Sequence, residues 1–483
     1  MTQDDTITLA PAGLTPARAL LTPGRQRLVA IIVACALFMQ NLDGTVIATA
    51  LPAMARSFHA DPVHMNIALT AYLFALAVFI PASGWMADRY GTRNVFRVAI
   101  AVFTLGSVLC ARADTLGLMV AARVVQGAGG AMMLPVGRLV LLRAVPAERL
   151  IAAMVWVTMP ALIGPVIGPP VGGFIITYFS WNWIFYINVP IGVLGFFLVS
   201  RFIREVPEPD PGPFDLLGLL LSGVALGGLM GVLELAGRHL AAGWVVAVLG
   251  VLCLAAAAAY VAHARGQVRP LLDFSLMRVP TFAVSVLAGS LFRIGIGAVP
   301  FLLPMLLQIG FGRTPLQSGL ITFISAAGAI GMKPATQWVL RRFGFRTTLA
   351  VNGLGCAAVL AAYAAFRPDW PVAALYAVLL AGGLLRSLQF TAFNAIAYAD
   401  MAQIRMSAAT TLYSAMQQVS LTVGIPISAA VLGMAAAAHG RAIPATGDFA
   451  LAFLVVAGIS ALAVPAALLL PRDAGRAMSG QGS

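Results

Sequence analysis

The chain has 483 residues, of which 60% are hydrophobic and 10% charged, and its mean hydropathy is +0.93. Soluble domains carry about 25% charged residues, so this composition excludes an ordinary soluble protein and indicates a protein that lies in a lipid bilayer. The net charge is +13, but the basic residues lie singly or in threes between apolar runs, which excludes a basic stripe for nucleic acid. The five histidines are dispersed, so no metal site is predicted.

Apolar runs recur along the whole chain. A membrane-spanning helix needs about 20 apolar residues, and runs of roughly that length predict fourteen spans. They cover residues 28–50, 66–87, 95–112, 115–143, 151–178, 183–203, 214–236, 243–264, 280–308, 316–340, 347–366, 371–397, 406–437 and 447–471. These runs are too long and too uniformly apolar for barrel strands, so the predicted fold class is an all-α polytopic membrane protein.

Arginines flank the predicted spans unevenly. With both termini placed in the cytoplasm, the inner segments hold 20 of the 30 basic residues, Arg138 among them, and the outer loops hold six. Basic residues near span ends are retained in the cytoplasm, and an odd number of spans would destroy this asymmetry. We therefore predict an even number of spans with both termini cytoplasmic.

An internal repeat with an offset of 253 residues supports this layout. Gly91-x-Arg93 recurs as Gly344-x-Arg346, and the Gly-Gly pair at 129–130 recurs at 382–383. Two duplicated halves that enclose a site are a transporter architecture. The predicted divisions are a cytoplasmic tail 1–27, a six-helix half 28–203, a linker with two inserted helices 204–264, a six-helix half 280–471 and a cytoplasmic tail 472–483.

A charged turn follows the second span in the segment Gly84-Trp-Met-Ala-Asp88-Arg89-Tyr-Gly91-Thr-Arg93. A tight glycine turn there displays a carboxylate and several guanidinium groups at a helix end, where Asp88 can meet the N-terminus of a neighbouring helix. Such charges can lock the two halves in one state. A solvated basic loop would explain an arginine cluster alone, but not Gly, Asp and Gly at these spacings.

Two further motifs lie in the first and fourth spans. They read Leu42-Asp43-Gly-Thr-Val-Ile-Ala-Thr-Ala-Leu-Pro52 and Arg123-Val-Val-Gln126-Gly-Ala-Gly-Gly-Ala131. Together with the charged turn, they resemble motifs of the major facilitator superfamily, in its fourteen-helix drug:proton antiporter branch. Ala stands at position 48 where that branch usually has Asn. The arginine of the fourth-span motif is linked in the family to proton transfer, so the resemblance implies that role for Arg123.

The fifth span contains Gly164-x-x-x-Gly168-Pro169-x-x-Gly172-Gly173, which is similar to the antiporter signature of the same superfamily. Small residues let helices approach closely, and proline removes a backbone donor and bends the helix. Position 155 holds Val where the signature has an earlier Gly, so the match is partial. Generic glycine packing is the alternative interpretation.

The resemblance implies a major facilitator fold with two six-helix halves and two inserted helices. It further implies a monomer in the bacterial inner membrane that exports drugs or metabolites by alternating access. The chain contains no Walker-type loop, so we expect a proton gradient to drive transport, with no cofactor and no enzymatic activity.

Two charged residues, Asp43 and Arg123, are predicted to lie at the same depth in the membrane, and this prediction does not depend on the family resemblance. Asp43 lies nine residues before Pro52 on an outward-running helix, and Arg123 lies nine residues after Asp114 on an inward-running helix. Each is therefore roughly 14 Å below the outer surface. Burial disfavours a charged carboxylate and a nearby guanidinium favours it, so Asp43 can exchange a proton when its distance to Arg123 changes. A static pair that only fixes helix packing remains the alternative.

Three other cations lie within predicted spans, namely Arg293, Lys333 and Arg386. The repeat places Arg293 opposite Gln40 of the first half, which is also predicted to contact the substrate. An uncompensated buried charge is costly, and a bound carboxylate would relieve it. We therefore predict an anionic or zwitterionic substrate, such as an organic acid, an anionic drug or a metal–carboxylate chelate. The alternative is that these side chains extend to the inner surface of the membrane, and for Lys333 this explanation is about as good as a role in the substrate site.

Polar side chains beside aromatic residues complete the predicted substrate site. They are Gln389, Asn394 and Gln417, in the twelfth and thirteenth spans. They can line a site for a partly apolar ligand, although interhelical hydrogen bonding explains them nearly as well.

Two other functions are the alternatives to export. The same fold can import or exchange a metabolite or a metal–carboxylate chelate, whereas a membrane enzyme or receptor would need a catalytic constellation or an output domain.

Overall fold

The computed structural model describes residues 23–58, 62–145, 147–203, 205, 212–237, 242–441 and 444–476, and the regular elements in these ranges are helical. The N-terminal part of the bundle consists of α1 Pro23–Ser57, α2 Pro62–Phe79, α3 Ser83–Tyr90, α4 Thr92–Arg112, α5 Leu116–Ala144, α6 Ala147–Tyr178, α7 Trp183–Tyr186 and α8 Asn188–Phe202. We call it the first half.

A helix pair then precedes the second half. The pair is α9 Leu216–Gly237 and α10 Gly243–Gly266. The second half consists of α11 Pro280–Met305, α12 Pro315–Gly331, α13 Lys333–Ala364, α14 Val372–Ile396, α15 Met406–Ala438, α16 Thr446–Ala461 and α17 Ala463–Ala467. Helix α9 packs on α10 and also contacts α2 and α15, so the pair lies beside both halves.

All fourteen predicted spans fall on helices of the structure. Twelve helical segments among the described residues are long and apolar enough to cross a membrane. The other two predicted spans coincide with α6 and with α12, which has 17 residues. The polytopic helical architecture is thus confirmed, while the count of fourteen stays a prediction.

The sequence predicted several spans as continuous helices, and the structure shows that they are broken. The second span is α2, a 3-10 turn at Ile80–Ala82 and then α3, because Pro81 in the turn lacks a backbone donor. The tenth span is interrupted at Met332, just before Pro334. The first break sets the direction of α3, which contacts α15 of the second half.

The packing of the halves repeats with the same offset of 253 residues as the sequence. A Cβ atom at Gly130 would lie 3.1 Å from the Tyr72 hydroxyl, and one at Gly383 would collide with the carbonyl oxygen of Ser325. Gly91 and its counterpart Gly344 both have positive φ, at +83° and +72°. Small residues at these points allow the close helix approach that dispersion-driven packing in lipid requires.

Candidate functional site

The centre of the first half contains a buried ion pair. Asp43 of α1 and Arg123 of α5 lie with Oδ2 and Nη1 2.7 Å apart, and the two side chains are 2% and 0% exposed. The structure therefore brings together the two residues whose depths matched in the sequence. A buried pair is stable only if the remaining polar atoms are also satisfied, so its surroundings decide what the pair can do.

Two amides and a hydroxyl surround the Asp43 carboxylate. Gln126 and Asn188 donate to Oδ1 at 2.8 and 2.9 Å, and Gln126 also donates to Ser107 at 2.8 Å. With Arg123, the carboxylate accepts three hydrogen bonds, and the one from the guanidinium is charge-assisted. Gln126 stands in the fourth-span motif that the sequence singled out, but no role was predicted for it or for Asn188.

Arg123 also has partners that do not depend on Asp43. Its Nε donates to the carbonyl oxygen of Ala68 at 3.2 Å, and its Nη1 donates to Gln126 at 2.6 Å. The guanidinium carbon lies 4.3 Å from the centroid of the Tyr72 ring. Gln40, predicted to contact substrate, lies beside the Tyr72 hydroxyl. These contacts can hold the guanidinium in place when the carboxylate is neutral.

Helix α6 packs against α1 immediately beside this pair. A Cβ atom at Gly164 would lie 2.8 Å from Asn41 Cβ, and one at Gly168 would lie 2.9 Å from Thr45 Cβ. Thr45 donates to the carbonyl oxygen of Gly164 at 3.3 Å. The predicted glycine signature therefore sets the α1–α6 distance next to Asp43. Two other glycines of the signature differ in exposure, since Gly172 is buried and Gly173 is exposed. Pro169 lies in α6, and its side chain is not among those that the structure describes.

The halves meet at one end of the bundle, which carries Arg89, Arg143 and Arg405 and is called the arginine-rich end. Asp88 pairs with Arg143 at 3.2 Å and accepts a hydrogen bond from Ser407 of the second half. The carboxylate predicted to act between the halves thus joins α3 and α5 of one half to α15 of the other.

Close backbone packing reinforces this contact. The hydroxyl oxygens of Ser83 and Thr411 lie 3.2 Å apart. A Cβ atom at Gly84 would lie 2.5 Å from Thr411 Oγ1 and 3.1 Å from the carbonyl oxygen of Ser407, so α3 and α15 can approach this closely only with glycine there. In this conformation the arginine-rich end is closed.

The turn after α3 has the conformation that its glycine predicted. Gly91 has φ +83°, and Glu205 lies directly against it, so a side chain there would be strained and would collide. Arg93 donates to the carbonyl oxygen of Ser200, which ties the turn to the end of α8. Arg89 lies in the last turn of α3.

Among the predicted substrate contacts, Arg293 and Gln417 lie at the contact between the halves. Arg293 of α11 is 1% exposed and donates to the Tyr413 hydroxyl. Gln417 accepts from Nη2 of Arg138 at 3.2 Å. The placement of Arg138 among the inner-segment charges was wrong, because the structure buries it in α5 with 3% exposure. Its Nη1 also donates to Tyr398, in the turn after α14, at 3.3 Å.

The other predicted contacts lie within the second half. Lys333 donates to Thr391 at 2.9 Å, and Gln389 accepts from Asn352 at 2.7 Å. Asn394 donates to the carbonyl oxygen of Phe390 at 2.8 Å. Arg386 lines a small cavity among α11, α12, α13 and α14. Helix packing accounts for the Gln389 and Asn394 amide donors, as the sequence alternative allowed.

Comparison with known proteins agrees with this architecture. The sequence pattern of the Major Facilitator Superfamily matches residues 33–425. The chain is 38% identical over 412 residues to "Putative multidrug resistance protein MdtD" of Salmonella typhimurium, across 84% of this chain and 87% of that protein. The Klebsiella pneumoniae protein of the same name is 37% identical over 447 residues, across 92% and 94% of the two chains.

Two solved structures share the fold. The human organic anion transporter MFSD10 superposes with a TM-score of 0.69 at 14% identity, over 92% of this chain and all of that one. The proton:xylose symporter XylE superposes with a TM-score of 0.64 at 15% identity, over 92% of this chain and 95% of that one. At such identities the likeness concerns the fold alone.

Proposed function

Since the chain belongs to the major facilitator superfamily, we propose that it is a proton-coupled exporter of drugs or metabolites that works by alternating access. The proposal places it as a monomer of fourteen spans in a bacterial inner membrane, with α6 and α12 completing the count and both termini cytoplasmic. It performs transport rather than catalysis and needs no cofactor. The observation that carries the proposal is the buried Asp43–Arg123 pair.

Proton exchange at Asp43 follows from its hydrogen bonds. In the present conformation three donors occupy the carboxylate oxygens, and the proposed proton binds when those donors withdraw. The donors come from α5 and α8, while Asp43 is on α1, so a shift of α1 relative to the other two helices separates the carboxylate from its donors. Arg123 then keeps its hydrogen bonds to the carbonyl oxygen of Ala68 and to the side chain of Gln126.

Helix α6 can convey that shift to the second half. It contacts α1 through Gly164 and Gly168 and also contacts α12 and α14. The α1–α6 surface has no room for added atoms, so the two helices move together or slide past each other along the glycines. Protonation of Asp43 and the separation of the halves at the arginine-rich end are thereby coupled.

The arginine-rich end supplies the gate in this proposal. Asp88 is bonded to both halves, and the Ser83–Thr411 contact closes the same end. Opening breaks these contacts together, and the alternative state exposes the site to the cytoplasm. The closed state exposes it to the opposite side.

The test is transport by purified protein in proteoliposomes under an imposed pH gradient, with matched cationic and anionic compounds. We expect the gradient to drive wild-type accumulation, and Asp43→Asn to keep only gradient-independent exchange. Asp273→Asn, which removes a surface carboxylate, is the control and should behave as wild type. Wild-type exchange that ignores the gradient would instead favour the metabolite exchanger, and gradient-driven accumulation by Asp43→Asn would remove Asp43 from the mechanism.

A further inference from the structure

Two buried arginines from opposite halves lie close to the ring of one tyrosine. The guanidinium carbon of Arg138 lies 5.2 Å from the centroid of the Tyr413 ring, and that of Arg293 lies 4.8 Å from it. The two guanidinium carbons are therefore at most 10.0 Å apart. Arg138 comes from α5 of the first half and Arg293 from α11 of the second, so the pair spans the contact between the halves.

The described partners of these arginines are neutral. Arg138 donates to Tyr398, Ser414 and Gln417, and Arg293 donates to Tyr413. None of the ion pairs between described residues includes either arginine. Moreover, Nε of Arg138 and both Nε and Nη1 of Arg293 are buried without an acceptor.

Arg123 shows how the same protein neutralises a buried arginine when the charge is internal. That side chain is as deeply buried as Arg293, and it has a carboxylate 2.7 Å away. Two buried guanidinium groups beside one ring repel each other, and removing them from water without a counter-charge is costly. An anion that enters between them would relieve both costs.

We propose that Arg138 and Arg293 together bind the anionic group of the substrate, a carboxylate or another oxyanion, at the contact between the halves. Guanidinium groups bind such anions in bidentate fashion through donors that are fixed in one plane. Phe390, whose ring centroid lies 5.4 Å from the Arg293 guanidinium carbon, and Tyr413 offer apolar surface for the rest of the molecule. The inference rests on the proposed function, because it assigns the substrate class of that transporter.

The experiment measures ligand-induced thermal stabilisation of the purified full-length protein in detergent. The probes are salicylate and its neutral amide salicylamide, supplemented by benzenesulfonate, an aliphatic dicarboxylate and a quaternary ammonium ion. We expect the anions to stabilise the wild type in a saturable way and the amide and the ammonium ion to have no effect. Arg138→Gln and Arg293→Gln should each raise the half-saturating anion concentration at least tenfold.

Two further variants distinguish binding from packing. Arg138→Lys keeps the charge and should lose less affinity than Arg138→Gln. Arg97→Gln removes an arginine that also lies over a ring, that of Phe196, but on α4 away from the other half, and it should respond as the wild type. The melting temperature without ligand shows that each variant is folded.

Stabilisation by the amide equal to that by salicylate, no stabilisation by any anion, or a wild-type response from Arg138→Gln and Arg293→Gln would each overturn the inference. If it fails while the pH gradient still drives transport through Asp43, the proposed function stands without an anionic substrate. If anions bind but the gradient drives nothing, the anion site stands and the proton coupling fails.

Discussion

Replacement of Asp43 by Asn tests the energetic weight of the buried pair. The change leaves the Arg123 guanidinium charged, fully buried and without its counter-charge 2.7 Å away. Removing one partner of a buried pair costs about 3–5 kcal/mol, whereas an exposed pair contributes about 0–1 kcal/mol. Asp273 and Arg405 supply the comparison, because their atoms are also 2.7 Å apart but the side chains are 20% and 38% exposed.

The free energy of unfolding can be measured by titration with sodium dodecyl sulfate in mixed micelles, followed by far-UV circular dichroism. We expect Asp43→Asn to lose about 3–5 kcal/mol and Asp273→Asn to lose less than about 1 kcal/mol. The double variant Asp43→Asn/Arg123→Gln should recover part of the loss, since neither charge then remains buried alone. Equal losses for the two single variants would refute the reasoning.

The pH of this comparison matters for the control. Burial acts to raise the pKa of Asp273, but hydrogen bonds from Ser275 and Arg405 outweigh it and hold the pKa below its usual range. A lowered folded-state pKa stabilises the protein above the unfolded-state pKa, and this contribution disappears as the pH falls through the folded-state pKa. At neutral pH the control therefore reports the whole contribution of its pair.

Three further predictions follow. Gly168→Ala overpacks the α1–α6 surface and should lower the free energy of unfolding by about 1–3 kcal/mol. The control is Gly433→Ala, which has no atom within 4 Å of its added Cβ and should not destabilise the protein. Equal effects of the two substitutions would contradict the packing argument. Gly344→Ala places a side chain at φ +72° and should cost about 1–3 kcal/mol, and an unchanged titration midpoint would disprove that strain. Asp88→Asn should destabilise the closed state of the arginine-rich end by about 1 kcal/mol. A cysteine introduced at position 411 in a cysteine-free background should then be alkylated about fivefold faster than in the same protein with Asp88. An unchanged alkylation rate would argue against the gate.

The features that the sequence predicted correctly are local or depend on depth. A run of apolar residues has the same meaning wherever it lies, so the helices were found. Asp43 and Arg123 could be related because the rise per residue gives the depth of each along its own helix. Gly91 and Gly344 could be related because the repeat gives both the same turn.

The features that the sequence did not predict depend on how helices rotate and meet. Arg138 lies near a span end, where arginines usually mark the cytoplasmic side, and only the contacts with Tyr398 and with Gln417 of α15 reveal that it is buried between the halves. Gln389 faces Asn352 because of the rotation of α14, which the spacing of residues along one helix does not determine. Gln126 stood in a recognised motif, and the amide side chains of Gln126 and Asn188 were the available signal for a hydrogen-bonded carboxylate.

Proton release on substrate binding tests the central claim most directly. Purified protein in weakly buffered detergent solution, with a pH-sensitive dye, is mixed with a transported compound at a series of pH values. If Asp43 is the proton carrier, the wild type should release on the order of one proton for each molecule bound, whereas Asp43→Asn should bind the compound and release none. Equal proton release from the wild type and from Asp43→Asn would contradict the account.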